Sequence, residues 1–582
     1  LTGVRLEMFD LRHWGPGYDS VAEQPFIQNV DLDATGMPVG GAITDGASIC
    51  LLRLTPPLSE HVKDNIDDDD NDVVDDEYWE VIEPLAPFGG IEIDAAPRKS
   101  PHNFHPDVVG SLYPLHRPFD PPDPPAPADP IPPLSWNTVA GLNTLPQLPV
   151  IETDAGRETT DVHSDDGLWY YVPPEGFVEA NGLDPLPGDV EKAILNFHIR
   201  FNGLDRGEID FILRRPPIVL VHGLMGSAVG YWGTNAYSES AEKPLPTRLY
   251  YVDYEDSNTK GYEENYRAVG RMIYHAVTDY RLGRDDTPDH KVAHAPARGF
   301  DEVRYAATRA DAVGHSMGGQ LIRTHLSDLG NNGAEAVYRG GRWPPAVFDR
   351  IAWWDSRYIR DDDWGAGDIR RFIVVGSPFL GSPIADNLVD DLEPADPSTV
   401  HPWSRSVGTY VRAHILSHTP AGAISGANGK YAPPTAVADL CVESEMRKAL
   451  AAPSRYPTGR RLPAWIAIAG KATTMPSHGV STLGPFKSLA LHVAVALDDD
   501  SVGVLTPFNS DLVVQVLSQL NVSSLNSPNA SFPTVDYTIH TFEDSLPPSH
   551  SSEVFSETIA DIIRQVLDGP VHPHAREGRL YE

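Results

Sequence analysis

The chain has 582 residues, and at ~100–200 residues per domain it holds roughly three to five domains, or two or three if one is a large α/β unit. Its residues are 41% hydrophobic and 22% charged, enough apolar material for a core, which excludes collagen-like, fibrous and wholly disordered chains. With 82 acidic and 45 basic side chains the net charge is 45 − 82 = −37, which argues against binding to phosphate backbones or to anionic membrane surfaces and fits a secreted, calcium-rich or high-salt setting.

Over residues 1–213 proline and aspartate dominate and the apolar runs are short. Ile49-Cys-Leu-Leu-Arg-Leu, Leu168-Trp-Tyr-Tyr-Val and Ala193-Ile-Leu-Asn-Phe-His-Ile-Arg-Phe read as strands. Asp33-Ala-Thr-Gly, Asp165-Asp-Gly and Phe201-Asn-Gly separate them as turns. No convincing amphipathic helix is found there, so a β-sandwich-like all-β domain is expected. Between the strands lies Asp64-Asn-Ile-Asp-Asp-Asp-Asp-Asn-Asp-Val-Val-Asp-Asp-Glu. Oxygens at Asp67, Asp69, Asn71 and Asp75 resemble those of D-x-D-x-N/D calcium loops, and a hard cation takes six or more such ligands. The turn glycine and the full EF-hand pattern are absent, so a structural Ca²⁺ and a solvated acidic loop are both open. Pro118–Pro133 reads as an extended Pro/Asp-rich excursion.

Residues 214–582 alternate buried strands with helical stretches. Pro217–Val221, Leu249–Asp253, Ala310–Gly314, Arg371–Gly376 and Pro463–Gly470 read as strands. Glu263–Arg281 spaces Tyr266, Val269, Ile273, Ala276 and Tyr280 at helical intervals, Met317–Leu326 is helix-like, and Val554–Leu567 is a closing amphipathic helix. This alternation predicts a mostly parallel sheet with helices on both faces. Cys50 and Cys441, 441 − 50 = 391 positions apart, allow at most one bridge, and two buried free thiols are expected. No apolar run approaches the ~20 residues needed to cross a bilayer. The start at Leu1, with no signal-type segment, reads as a processed mature or a trimmed chain, so a secreted location is an expectation.

Gly314-His-Ser-Met-Gly318 matches G-x-S-x-G between a strand and a helix. A nucleophilic serine needs such a sharp turn to expose its oxygen, and the glycines let the backbone pass. Upstream, His222-Gly-Leu-Met-Gly226 follows the first strand of this region. Acyl transfer needs two backbone N–H donors for the oxyanion; Met317, after the serine, and Leu224 are expected to supply them. His222 is expected to brace that loop, since the base should lie near the C-terminus.

Three segments carry a resemblance to the α/β-hydrolase fold, and within it to bacterial lipases and esterases. They are Val219-Leu-Val-His-Gly-Leu-Met-Gly, Ala312-Val-Gly-His-Ser-Met-Gly-Gly and Val375-Gly-Ser-Pro-Phe-Leu-Gly-Ser-Pro-Ile-Ala. The third is similar to the lipase segment G-T-P-H-x-G-S, with Ser377 for Thr and Phe379 for His. The resemblance covers about residues 214–582 and implies the order nucleophile, acid, base. Asn509-Ser-Asp-Leu-Val-Val resembles the segment that bears the acid, so Asp511 is implied, with Asp498, Asp499 and Asp500 as alternatives. The base falls between the last strand and the last helix: His550, in a loop that can deliver a mobile imidazole, with His540 as runner-up.

The resemblance thus implies a Ser316–Asp511–His550 triad, an acyl-enzyme and a carboxylic ester substrate, with no cofactor for catalysis. An insertion over about 384–460 is expected to form a cap or lid with an apolar inner face. A polyester or polyhydroxyalkanoate depolymerase of the same mechanism is the alternative, with the N-terminal domain gripping polymer. A calcium-dependent surface or binding protein with an inactive hydrolase domain is the alternative of another class.

Overall fold

The computed structural model describes residues 5–10, 26–27, 40–48, 50–55, 91–97, 111–114, 160–164, 168–174, 192–201, 204–224, 226–227, 232, 248–258, 260–282, 305–327, 367–382, 385–386, 435–456, 463–472, 536–542, 557–568 and 579–580. The N-terminal part contains strands β1 (Arg5–Asp10), β2 (Phe26–Ile27), β3 (Gly41–Ile43), β4 (Cys50–Thr55), β5 (Ile91–Pro97), β6 (Ser111–Pro114), β7 (Thr160–Ser164), β8 (Leu168–Val172), β9 (Lys192–Phe201) and β10 (Leu204–Arg214). One sheet runs in the order β2-β1-β4-β8-β6, every pair antiparallel. In the other, β10-β9-β5-β7 is antiparallel. Only Asn202 and Gly203 separate the paired ends of β9 and β10, a dipeptide suited to a tight hairpin.

The remainder is α/β: β11 (Ile218–Val221), β12 (Leu249–Val252), α1 (Tyr262–Leu282), β13 (Tyr305–Ala306), β14 (Ala310–His315), α2 (Met317–Leu326), β15 (Ile369–Val375), α3 (Thr435–Asp439), α4 (Glu445–Leu450), β16 (Ala464–Ala472), β17 (Asp536–Phe542), α5 (Glu557–Asp568) and β18 (Arg579–Leu580). Seven of its strands form one parallel sheet, β12-β11-β14-β15-β16-β17-β18. Every residue of β11, β14 and β15 is buried. Such strands need apolar residues on both faces, which is why they read as continuous runs in the sequence.

Strand alternation sends neighbouring residues to opposite layers. Val219 and Val221 join a cluster with Tyr266, Val269, Ile273, Ala276, Val277 and Tyr280 of α1 and Leu321 and Ile322 of α2. Ile218, Leu220, Val313, Ile373 and Val375 face Ile559, Ala560, Ile563 and Leu567 of α5. Helices therefore cover both faces, and each fully buried aliphatic side chain contributes ~1.5–3 kcal/mol. Helix α1 opens with Glu263 and Glu264 and closes with Arg281, complementing its dipole, and Asp439 accepts the N–H of Tyr262 at 2.9 Å.

Buried charges sit at the amino ends of this sheet. Asp311 accepts from Arg370 through both oxygens, with Nε at 2.8 Å, and both side chains are almost fully buried. Arg370 also donates to the carbonyl of Thr44 at 3.0 Å, and Arg371 to that of Val566. His325 and Asp368 form a second buried pair, Nε2 to Oδ1 at 3.0 Å.

The two parts are joined by strand pairing. β3 runs parallel to both β10 and β13, so residues 305–306 complete the N-terminal sheet. Asp45, fully buried, accepts the backbone N–H groups of Ala47 (2.9 Å), Ser48 (2.7 Å), Arg309 (2.9 Å) and Thr308 (3.4 Å), and the Ser48 hydroxyl at 2.6 Å. Arg214 lies over the rings of Tyr280 and Tyr305, 4.7 and 4.8 Å from their centroids. Both cysteines are free thiols, Cys50 buried and Cys441 partly exposed. Among the described residues no helix is long and apolar enough to cross a membrane.

Candidate active site

β11 is flanked by β12, which follows it, and by β14, which comes after the chain has crossed back. Ligands of open α/β sheets bind outside the carboxyl ends of the strands at such a reversal. The register Val221↔Gly314 brings His222-Gly223 beside His315-Ser316. The two loops are 93 positions apart in sequence (315 − 222 = 93), and the sheet alone makes them neighbours.

Ser316 lies at the turn from β14 into α2 with φ 55° and ψ −126°, and it alone among the described non-glycine residues has positive φ. That conformation costs on the order of 1–3 kcal/mol and is held by its surroundings. Its N–H donates to Val375 O at 3.0 Å, so the β14–β15 ladder runs into the turn, and its carbonyl accepts from Gly319 N–H at 3.2 Å. The residue stays partly exposed while both flanking elements are buried. Close approach sets the two glycines that matter most. A Cβ on Gly223 would lie 2.8 Å from Ser316 Cβ and 3.3 Å from its Oγ. A Cβ on Gly318 would lie 2.4 Å from Val221 O and 2.6 Å from His222 O, which would push α2 off β11.

Leu224 follows Gly223 in the same loop and is partly exposed, and Met317 is the first residue of α2, with a buried side chain. The first-turn N–H groups of a helix lack intrahelical acceptors, so the Met317 N–H is available to a ligand. His222 is fully buried, with its ring stacked on Tyr254 (centroids 3.9 Å, planes 7° apart). Burial pushes its pKa down to about 4, against weaker opposing effects from Gly223 O and Asp253. A neutral ring whose Nδ1–H donates to Gly223 O at 2.9 Å braces the loop. Its Nε2 has no partner among the described residues.

The segment similar to the third lipase motif lies behind α2. Phe379 is fully buried against Phe372 and Trp465, with Arg323 5.2 Å from its ring centroid, so it fills core rather than facing Ser316. Arg323 donates to Tyr456 Oη (2.9 Å), Leu450 O (2.8 Å) and Phe379 O (3.2 Å), tying this segment to the end of the expected cap. Ala436, Val437, Leu440, Met446, Leu450 and Tyr456 of that region belong to the main core. The remainder of the insertion, residues 384, 387–434 and 457–460, lies outside the described residues.

Asp511, Asp498–Asp500 and His550 also lie outside the described residues. So do Asp67, Asp69, Asn71 and Asp75, and the described residues hold no cluster of metal-ligating side chains. His540 lies on β17 in register with Gly470. In sequence Asp511 falls between β16 and β17, and His550 between β17 and α5. Two further residues, Tyr254 and Asn258, belong to the site without any sequence motif marking them. Tyr254 donates its hydroxyl to His222 O, and Asn258 donates to Gly223 O at 3.3 Å and Gly226 O at 2.9 Å. They approach from beyond β12, more than thirty positions away in sequence, without any local motif.

No protein-family model matches the chain. An alignment of 138 positions is 32% identical to Lipase 1 of Staphylococcus aureus; it covers 20% of this chain and 18% of that protein, so the match spans about a fifth of the curated relative's length. Solved structures to which the chain shows some likeness include a mature Bacillus licheniformis lipase (15% identity, 61% of this chain, 92% of that one, TM-score 0.31). Staphylococcus hyicus lipase is another (15% identity, 61% and 94%, TM-score 0.32). The chain resembles bacterial lipases and esterases.

Proposed function

We propose that the chain is a secreted carboxylic ester hydrolase of lipase type that works through an acyl-enzyme on Ser316. The observation that carries this reading is Ser316 itself, held at φ 55° between β14 and α2 with Gly223 packed against it. Backbone strain of this kind clusters at active sites, where it holds a reacting group in place. In this reading His550 takes the Ser316 proton as Oγ attacks the ester carbonyl. Asp511 fixes the imidazole tautomer and stabilises the imidazolium. The N–H groups of Leu224 and Met317 receive the oxyanion. His550 then returns the proton to the leaving alcohol, and water releases the acid by the same relay. The seating of the oxyanion donors beside Ser316 is supported by the Val221↔Gly314 register.

The N-terminal part is proposed as a β-sandwich whose Asp67, Asp69, Asn71 and Asp75 hold a structural Ca²⁺, and the remainder of residues 384–460 as a cap over the acyl pocket. The test of the activity is hydrolysis of a short-to-long series of p-nitrophenyl esters by wild-type and Ser316→Ala protein. Loss of a triad nucleophile typically costs on the order of 10⁶ in kcat. Near-normal turnover by the variant, free of wild-type enzyme, overturns the reading.

A further inference from the structure

We infer that Asn258 is a positioning residue that aims the Leu224 N–H at the oxyanion, through the carbonyl of Gly223. The inference rests on the ester-hydrolase reading above. Three donors converge on Gly223 O: His222 Nδ1 at 2.9 Å, Gly226 N–H at 3.2 Å and Asn258 Nδ2 at 3.3 Å. The 3.5 Å separation of Asn258 Nδ2 from His222 Nδ1 is the approach of two donors to one acceptor, not a bond between them.

The C=O of Gly223 and the N–H of Leu224 belong to one planar trans peptide, so they point in opposite directions. Pinning the carbonyl toward His222 and Asn258 therefore turns the N–H the other way. Donation to a carbonyl also polarises its peptide and strengthens that N–H as a donor. Asn258 has two amide hydrogens, and the second goes to Gly226 O at 2.9 Å, so one side chain fixes both ends of the 223–226 turn. Asn258 is itself buried and held in the turn after β12, its N–H donating to Glu255 O at 3.2 Å. Tyr254 holds the carbonyl of His222 from the same turn. The loop is thus braced from β12, on the side away from α2, and a pre-set donor geometry lets an oxyanion be stabilised without reorganisation.

The test compares an oxo ester with its thiono analogue in full-length wild type, Asn258→Ala and Asn258→Asp, with rates normalised to the endpoint fraction labelled by a fluorophosphonate. Sulfur gains far less than oxygen from N–H donors, so misalignment of the donor penalises the oxo ester selectively. Removal of an oxyanion donor costs about 10²–10³ in kcat, so loosening one should cost roughly tenfold to a hundredfold, with KM within about twofold. The thiono ester should fall by less than about threefold. Asn258→Asp keeps the shape and removes both donors, so its melting curve gives a second folded background. Equal losses on both esters, or no loss on either, overturn the inference. Absence of Ser316-dependent hydrolysis in wild type overturns the ester-hydrolase reading, and this inference with it.

Discussion

The two ends of the parallel sheet are built for different tasks. At the amino ends, β3 is threaded between β10 and β13, Asp45 gathers five donors, and Arg370 bridges Asp311 to Thr44. There the carboxylates of Asp45, Asp311 and Asp368 are each hydrogen-bonded, and the N-terminal part is fastened to the sheet. At the carboxyl ends the chain is strained at Ser316, partly exposed at Leu224, and leaves a buried His222 nitrogen without a described partner. β14 links the two ends over six residues, about 17 Å at ~3.3 Å per residue. The contrast teaches that paired buried charges mark the joint and backbone strain marks the candidate site. It also places the joint with the N-terminal part at the end of the sheet remote from Ser316.

The largest expected effect lies at the carboxyl ends. His550→Ala should abolish ester hydrolysis nearly as completely as loss of Ser316, on the order of 10⁶ in kcat, because nucleophile and base act as one unit. His540→Ala should cost far less. The reverse ranking in steady-state kinetics would move the base onto β17.

The amino ends should respond in stability alone. Asp45→Ala leaves several buried donors unsatisfied at ~1–3 kcal/mol each, so a loss on the order of 3–5 kcal/mol is expected in denaturant melts. Turnover per labelled active site should be unchanged at temperatures where the variant is folded. A matching drop in kcat would show that the two ends are coupled.

Next in size is a pH effect of about 3 kcal/mol, at ~1.4 kcal/mol per pKa unit. His222 has its folded pKa lowered from 6.5 to about 4, so the unfolded chain binds the proton first as pH falls. Stability from this group is full above pH ~6.5, is lost as pH falls towards 4, and levels off below that, at ~1.4 kcal/mol per pH unit. In His222→Gln the loss of stability between pH 6.5 and 4 should be smaller by that amount. Parallel curves for the two proteins would remove the neutral buried ring from the account.

The smallest effect concerns the acidic segment. If Asp67, Asp69, Asn71 and Asp75 bind one Ca²⁺, a chelator lowers the melting temperature and added Ca²⁺ restores it, by ~2.7 kcal/mol at a hundredfold excess over Kd. Activity below the melting point should hold. Metal analysis after dialysis together with an unchanged melt would make the segment a solvated acidic loop.

The parallel sheet was legible in the sequence because its strands are continuous apolar runs and its helices keep a 3.6-residue period. Residues 317–326 follow the expected helix from end to end, and α1 exceeds its expected span by one residue at each end. The turn at Ser316 was legible because Gly223 and Gly318 meet backbone or Ser316 at distances that leave no room for a side chain, which fixes glycine at both positions. The joint was not. β3 is three residues long, too short to show a period, and its partners lie about 170 and 264 positions away. Asp45 carries no motif, and Asn258 and Tyr254 reach the His222–Gly226 loop only through the fold. Cys441 was expected to be buried with Cys50 and is partly exposed instead, beside the turn between α3 and α4.

The central claim is that strain at Ser316 serves a nucleophile. The most direct measurement is labelling of the native full-length protein with a fluorophosphonate, followed by peptide mass spectrometry. The account predicts one tag per molecule, on the peptide carrying Ser316, and none after heat denaturation or in Ser316→Ala. No tag on the folded wild-type protein, or a tag on a different serine, would contradict it.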